Sequence, residues 1–195
     1  MNVVLLASGS RGNAVLVDVD KTRLLIDAGL SAKEICRRLE AVGVAPESLD
    51  ALLVTHEHSD HIRGLGPLVR RLQLPVYIHT DVVGILKDVG DPERVREFDE
   101  RTGFQAGELA VKAFPVTHDA CSPVGFRISS QSGEIGIATD LGIATRLVVE
   151  QLQSCRALVL ESNHDEDMLR DGPYPWKLKQ RVRSKHGHLS NCDSS

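Results

Sequence analysis

The chain has 195 residues, of which 42% are hydrophobic and only 4% aromatic, and its net charge is −4. This length suits one domain over residues 1–195 with a core of Val, Leu, Ile and Ala, and the charge excludes a global basic field, so any nucleic-acid contact needs a local patch. No early stretch reads as a leader and no apolar run is long enough to span a bilayer, so a cytoplasmic protein without a membrane partner is expected. The cysteines Cys36, Cys121, Cys155 and Cys192 are widely spaced with no C-x-x-C pair, and they read as free thiols rather than metal ligands.

In chain order, residues 2–7, 14–19 and 23–26 read as three strands whose short connections favour antiparallel neighbours. Ser31 is placed to cap a helix with Ile35, Leu39 and Val42 on one face, stopped by Gly43. A buried strand at 51–54 leads into a polar loop and a helix over 62–72, with Ser59 or Asp60 as its cap. Residues 76–78 read as a strand, and Thr80 as the cap of a helix reaching about Val89. Short strands dominate from Val95 to Ala138, followed by a helix at 144–152, a strand at 157–160, a polar proline-broken stretch and a basic helix near 176–185. The sum is one α/β domain of mixed sheets covered by helices.

The polar loop carries the strongest signal. Residues 55–61 read Thr-His-Glu-His-Ser-Asp-His, directly after the apolar run 51–54. Imidazole nitrogens and carboxylate oxygens are the ligands that zinc, manganese and iron prefer. In an extended chain His56, His58 and Asp60 share a side, and His61 then opens the helix. Two further strands end in candidate ligands: 111–116 delivers Thr117-His118-Asp119, and 134–138 delivers Thr139-Asp140. Taken alone, His118 also reads as a surface histidine and Asp140 as a helix cap. Asp27, at the end of Leu24-Leu25-Ile26, is expected to hydrogen-bond a ligand histidine rather than bind metal itself.

These stretches resemble the metallo-β-lactamase fold superfamily of hydrolases, and more narrowly its YycJ/WalJ-like exonuclease branch. The heptapeptide carries the superfamily resemblance, with Leu25-Ile26-Asp27-Ala28-Gly29 and Thr139-Asp140-Leu141-Gly142 in support. Glu161-Ser162-Asn163-His164-Asp165, Gly172-Pro173-Tyr174-Pro175-Trp176 and Gly187-His188-Leu189-Ser190-Asn191 carry the branch resemblance.

The resemblance implies an αββα sandwich of two mixed β-sheets flanked by helices. It further implies two divalent metal ions, zinc first with manganese or iron as alternatives. His56, His58 and His118 would hold one ion, Asp60 and His61 the other, with Asp140 bridging both. Asp60 and His188 are the expected catalytic residues, His188 by analogy with ribonuclease Z-like relatives. The implied activity is hydrolysis by a metal-activated hydroxide, acting on phosphodiesters of DNA or RNA. The alternatives are a thioesterase or lactonase, or a metal-binding protein with little turnover. Family members continue beyond Gly-His-Leu-Ser-Asn into a helix–strand unit bearing one more ligand histidine. Residues 192–195 read Cys-Asp-Ser-Ser instead, so the last helix–strand unit is expected to be missing and the second metal site to be weak.

Substrate features are sparser. Lys177, Lys179, Arg181, Arg183 and Lys185 read either as a phosphate track or as a solvated helix face. Tyr174 and Trp176 are expected in core packing or loop anchoring ahead of base stacking. Residues 9–13 read equally as an anion-binding nest or a tight turn. His79 is expected to be structural, and His164 to line the cleft.

Overall fold

A computed structural model describes residues 1–195. The first three strands, β1 (Asn2–Ala7), β2 (Ala14–Val19) and β3 (Thr22–Ile26), form an antiparallel meander. From there β4 (Ala51–Leu53), β5 (Val76–His79) and β6 (Val95–Phe98) add in parallel, giving a six-stranded sheet in sequential order. The second sheet has the order β11-β10-β9-β8-β7, built from β7 (Phe104–Ala106), β8 (Leu109–Pro115), β9 (Val124–Ser130), β10 (Gly133–Ala138) and β11 (Ala157–Leu160). Only the β10–β11 pair in this sheet is parallel, and a crossover helix joins it, as parallel neighbours require.

Period-two alternation in the strands sorts the apolar residues into layers. Val15, Val17, Val19, Leu24, Ile26 and Leu53 face the second sheet and meet Val111, Phe126, Ile128, Ile135 and Ile137 in the inter-sheet core. Their neighbours Leu16, Leu25 and Leu52 point the other way, onto α1 (Ala32–Ala41) and α3 (Leu65–Leu72) through Ile35, Leu39, Leu65 and Leu68. On the outer face of the second sheet, Val148 and Leu152 of α5 (Arg146–Leu152) pack on Phe114 and Ala138. The result is the αββα sandwich. No helix is long and apolar enough to cross a membrane, and all four cysteines are free.

Several local expectations need correction. The helix expected over 62–72 is split into α2 (Ser59–Ile62) and α3, with His58 rather than Ser59 or Asp60 at the N-cap. The break has two causes. The Gly64 N–H is drawn to the Ala28 carbonyl at 2.7 Å, and Pro67 is tolerated only in the first turn of a new helix. The helix after Thr80 is the single turn α4 (Thr80–Val83), capped by the His79 ring accepting from Asp81 N. The stretch after β11 contains an unforeseen helix, α6 (Glu166–Asp171), whose N-cap Asp165 accepts from Met168 N. The basic helix α7 spans Trp176–Val182 and stops short of residue 185. Val42, expected on the buried face of α1, is the C-cap residue and 45% exposed. Tyr174 and Trp176 pack into no core; they are 56% and 65% exposed.

The topology decides where chemistry can sit. Parallel strands β3, β4 and β5 end on one edge of the sandwich, and β8, β10 and β11 share a direction in the facing sheet. Asp27, His56, His118, Asp140 and Glu161 all follow the C-terminal ends of these strands.

Candidate metal centre

Asp27 leaves β3 with φ +62, a left-handed conformation uncommon for a residue with a side chain. Its carboxylate explains why the conformation persists. Oδ1 accepts the Thr55 N–H at 2.8 Å, while Oδ2 accepts the Thr55 hydroxyl at 2.8 Å and His61 Nδ1–H at 2.7 Å. The aspartate thus ties the end of β3 to both ends of the polar loop.

These bonds determine which ring nitrogens are free. The Thr55 hydroxyl has given its proton to Asp27, so it accepts from His56 Nδ1 at 3.0 Å. His56 Nε2 is then a bare lone pair, buried and without a hydrogen-bond partner, 3.4 Å from Asp140 Oδ2. By the same reasoning His118 Nδ1–H donates to the Gly187 carbonyl at 3.0 Å, leaving Nε2 facing His58 Nδ1 at 3.2 Å. His61, whose Nδ1–H is held by Asp27, presents Nε2 to Asp140 Oδ2 at 2.9 Å. Lone pairs aimed at one another and at a carboxylate repel unless a cation lies between them. His56, His58, His118 and Asp140 offer donor atoms that all lie within 4.8 Å of one another, a set that suits one divalent ion.

The second set converges more loosely. Asp60, in the first turn of α2, places Oδ2 3.9 Å from His61 Nε2, and Asp140 is common to both sets. Asn13 lies beside them, its Nδ2 3.0 Å from His61 Nε2 and 3.5 Å from Asp60 Oδ2. Asn13 Oδ1 accepts the Gly9 N–H at 2.9 Å, and Gly12 N donates to the Gly9 carbonyl. The 9–13 segment is therefore a self-closed tight turn rather than an anion nest.

Protonation follows the same field. Burial, aided by the neighbouring His61, pushes His56 down to about 2 and keeps its ring neutral. Burial lowers His118 as well. In His61 burial opposes the charged form, but Asp27 and Asp140 outweigh it and raise the group to about 10. The two carboxylates thus call for a positive charge at His61, supplied by a proton or by a cation at Nε2. For Asp140 burial acts upward, yet the hydrogen bond and charge of His61 hold it well below the usual carboxylate range.

The supporting roles of three residues were not foreseen. Glu161, buried at the end of β11, accepts His188 Nδ1–H at 2.7 Å with Oε1, and Leu141 N and Leu189 N with Oε2. With Asp140 and His188 it forms a second cluster of potential metal donors. Burial works against charge on His188, but Glu161 outweighs it and raises its pKa. Because β11 runs parallel to β10, its polar tip lies beside Asp140. Glu57, between two of the histidines, accepts Cys121 N with both oxygens at 3.0 and 3.2 Å and so anchors the loop after His118. Asp119 Oδ2 accepts from Arg181 Nε at 2.7 Å, joining α7 to the same loop.

His79 is buried against Phe98 and bonded to Glu100 at 3.0 Å, the structural role expected of it. The backbone of His164 pairs with that of Ser190, and His164 does not line the adjoining cavity. That cavity, of about 350 Å³, opens from Asp60 and Asp140 and is bounded by Ser8, Ser10, Ser162 and Asn163.

Residues 22–193 match the beta-lactamase superfamily domain. The chain belongs to this family, the metallo-β-lactamase fold. Within it, the chain is homologous to Exodeoxyribonuclease WalJ of Streptococcus pneumoniae, at 36% identity over 98% of this chain and 73% of that protein. Exodeoxyribonuclease YycJ of Bacillus anthracis is 37% identical over 98% and 74%. Two solved structures share the fold: YhfI of Bacillus subtilis, with TM-score 0.76, 18% identity and coverage of 98% of this chain and 77% of that one, and Zn(2+)-bound PqqB of Methylobacterium extorquens, with TM-score 0.73, 19% identity and coverage of 97% and 81%.

Proposed function

We propose that the chain is a metal-dependent phosphodiesterase, most specifically a DNA exonuclease. The single observation that carries this reading is the convergence of the His56, His58 and His118 lone pairs with Asp140. The homology to two exodeoxyribonucleases directs it toward nucleic acid. His56, His58 and His118 would hold the first ion, Asp60 and His61 the second, with Asp140 between them. Divalent ions bound there supply Lewis-acid polarisation of the phosphoryl group and acidify a water for attack. The remaining work belongs to the protein. Asp27 and Thr55 fix the ring orientations of His61 and His56, and Gly187 fixes that of His118. His188, held by Glu161 with its pKa raised, is placed to give a proton to a leaving oxygen. Asp60 combines a ligand role with the orientation of a reacting water. The reading is tested by metal content from mass spectrometry together with hydrolysis of DNA, RNA, thioester and β-lactam substrates by the same sample. Preference for a thioester would overturn it in favour of a thioesterase, and metal without turnover in favour of a binding protein.

Unequal metal affinity is an expected result. The second position has three protein donors, one of them shared, and Asp60 stands 3.9 Å from its partner nitrogen. Titration with zinc or manganese should show a first ion bound at least about tenfold more tightly than the second, since even losses in the supporting shell cost that much. Two equally tight sites would instead assign a ligand role to His188 or His186.

The basic segment formed by α7 and the turn after it gives a second expected result. Lys185 is exposed, while Arg181 is engaged by Asp119. Lys185→Glu should weaken nucleic-acid binding across sequences and lower the salt slope by about one. Arg181→Glu should do more, because it also turns the contact with Asp119 into a repulsion. Unchanged binding with both charges reversed would remove the phosphate track from the reading.

A further inference from the structure

The segment between α6 and the metal centre displays groups that the hydrolytic site does not use. Every residue from Pro173 to Leu178 is exposed, and α7 buries none of its side chains. The other aromatic residues are at least half-buried: Tyr77 and Phe104 stack on one another and on Phe98 at the margin of the inter-sheet core, Phe98 meets Phe126 edge-on, and Phe114 lies under α5. Only Tyr174 and Trp176 stand in water. Aromatic side chains ordinarily bury about 150–250 Å² each, so leaving these two outside forgoes a large apolar gain.

Their surroundings indicate what covers them. Lys177 on α7 and Arg183 and Lys185 just beyond it are exposed, and among the cations of this segment Arg181 alone meets a carboxylate. On the preceding helix Arg170 offsets Asp167 and Asp171. Trp176 opens α7; Arg183, seven residues on, falls within about 20° of it around the axis, while Arg181 lies about 7.5 Å along the axis and about 140° around it. Beyond Arg181 are Asp119 and, 3.4 Å from its Oδ1, His118 Nε2. The exposed aromatics thus stand at the start of α7, and its cation Arg181 reaches through Asp119 to the loop beside His118.

We propose that Tyr174 and Trp176 form a stacking platform for the bases of single-stranded nucleic acid, whose backbone follows the cations of α7 to the metal centre. This deepens the nuclease reading and rests on it for the direction of the strand. A duplex keeps its bases stacked inside and would meet only the cations. A single strand offers both phosphates and free π-faces, and stacking of this kind is tolerant of sequence. The positive charge of α7 complements a polyanion, which favours nucleic acid over an apolar protein surface.

Trp176 is the only tryptophan in the chain, so its emission reports on the platform directly. The experiment titrates phosphorothioate-linked oligo(dT), and a duplex of equal length, into the protein while following indole fluorescence. The expected result is saturable quenching by the single strand, little by the duplex, and tighter binding of the single strand. Trp176→Leu and Tyr174→Leu should each lower single-strand affinity at least about fivefold, the low end for one stacked base, with duplex affinity falling far less. Bound oligo(dT) without quenching would overturn the proposal, as would an equal loss of single-strand and duplex affinity in the variants. Concentration-dependent self-association that shields Trp176 would also overturn it, in favour of a contact between copies. Wild-type hydrolysis of bis(p-nitrophenyl) phosphate separates the two readings: its absence removes the nuclease assignment, while the quenching result judges the platform independently.

Discussion

His58→Ala should cost this protein more than about a hundredfold in affinity for its first metal ion, because supporting residues alone are worth tenfold to a hundredfold and His58 is proposed as a direct ligand. Hydrolysis should fall by at least the same factor. The fold should survive, since His58 is only partly buried and belongs to no core cluster. Metal content after dialysis, read with far-UV circular dichroism, checks both halves. A variant that keeps its metal and its turnover would exclude His58 from the centre. His79→Ala supplies the opposite signature. That ring is 5% exposed and bonded to Glu100, so its loss should lower stability by about 1–3 kcal/mol and leave metal content unchanged.

Gly29→Ala is expected to have the largest effect on stability. An added Cβ would lie 1.6 Å from the Asp60 carbonyl oxygen and 2.5 Å from Asn13 N. Both obstacles are backbone, so no side chain can swing aside. The contact is also where the site is assembled: Asn13 N donates to Asp60 O at 2.7 Å, Gly29 N to Asn13 O at 2.9 Å, and Ala28 N to His61 O at 2.7 Å. The substitution should destabilise by about 3–5 kcal/mol or prevent folding. Any protein that does fold should bind metal weakly, because Asp60 and His61 are displaced with the seam. Gly84→Ala, with no atom within 4 Å of the new Cβ, is the matched control and should be close to neutral. Urea unfolding of the two variants side by side decides; equal midpoints would show that the seam yields without cost.

The elements most legible in the sequence were those whose pattern is local. Strands β1, β2 and β11 have the expected ends, because alternating or continuous apolar runs bounded by turn residues leave little freedom. Ser31 caps α1 as expected, accepting from Glu34 N. The split of α2 from α3 was not legible, since its cause is a hydrogen bond from Gly64 to Ala28, more than thirty residues away in the chain. The helix after Thr80 was overread because Leu86 and Val89 do pack on the core, but from an irregular segment beyond the Gly84 C-cap, and burial alone does not require a helix.

The site shows the same division. Ligand chemistry and its spacing in Thr55–His61 are properties of seven consecutive residues, and Asp27, His118 and Asp140 could be named because each ends an apolar strand. Glu161, Asn13 and Glu57 could not, because their roles depend on which strand tips and loops become neighbours. Glu161 matters only once β11 lies beside β10, and Glu57 only once the 119–122 loop folds back over the heptapeptide. The tautomers likewise follow from tertiary contacts: Asp27, Thr55 and the Gly187 carbonyl take one nitrogen of His61, His56 and His118 and leave the other free. The exposure of Tyr174 and Trp176 was also a tertiary outcome, as composition favours burying aromatics and only the absence of a packing partner around α7 leaves them in water. The sequence by itself determined which atoms can bind a cation. The tertiary structure decided which of them meet, because convergence requires two sheets to present their strand ends on one edge and a glycine seam close enough to hold them there.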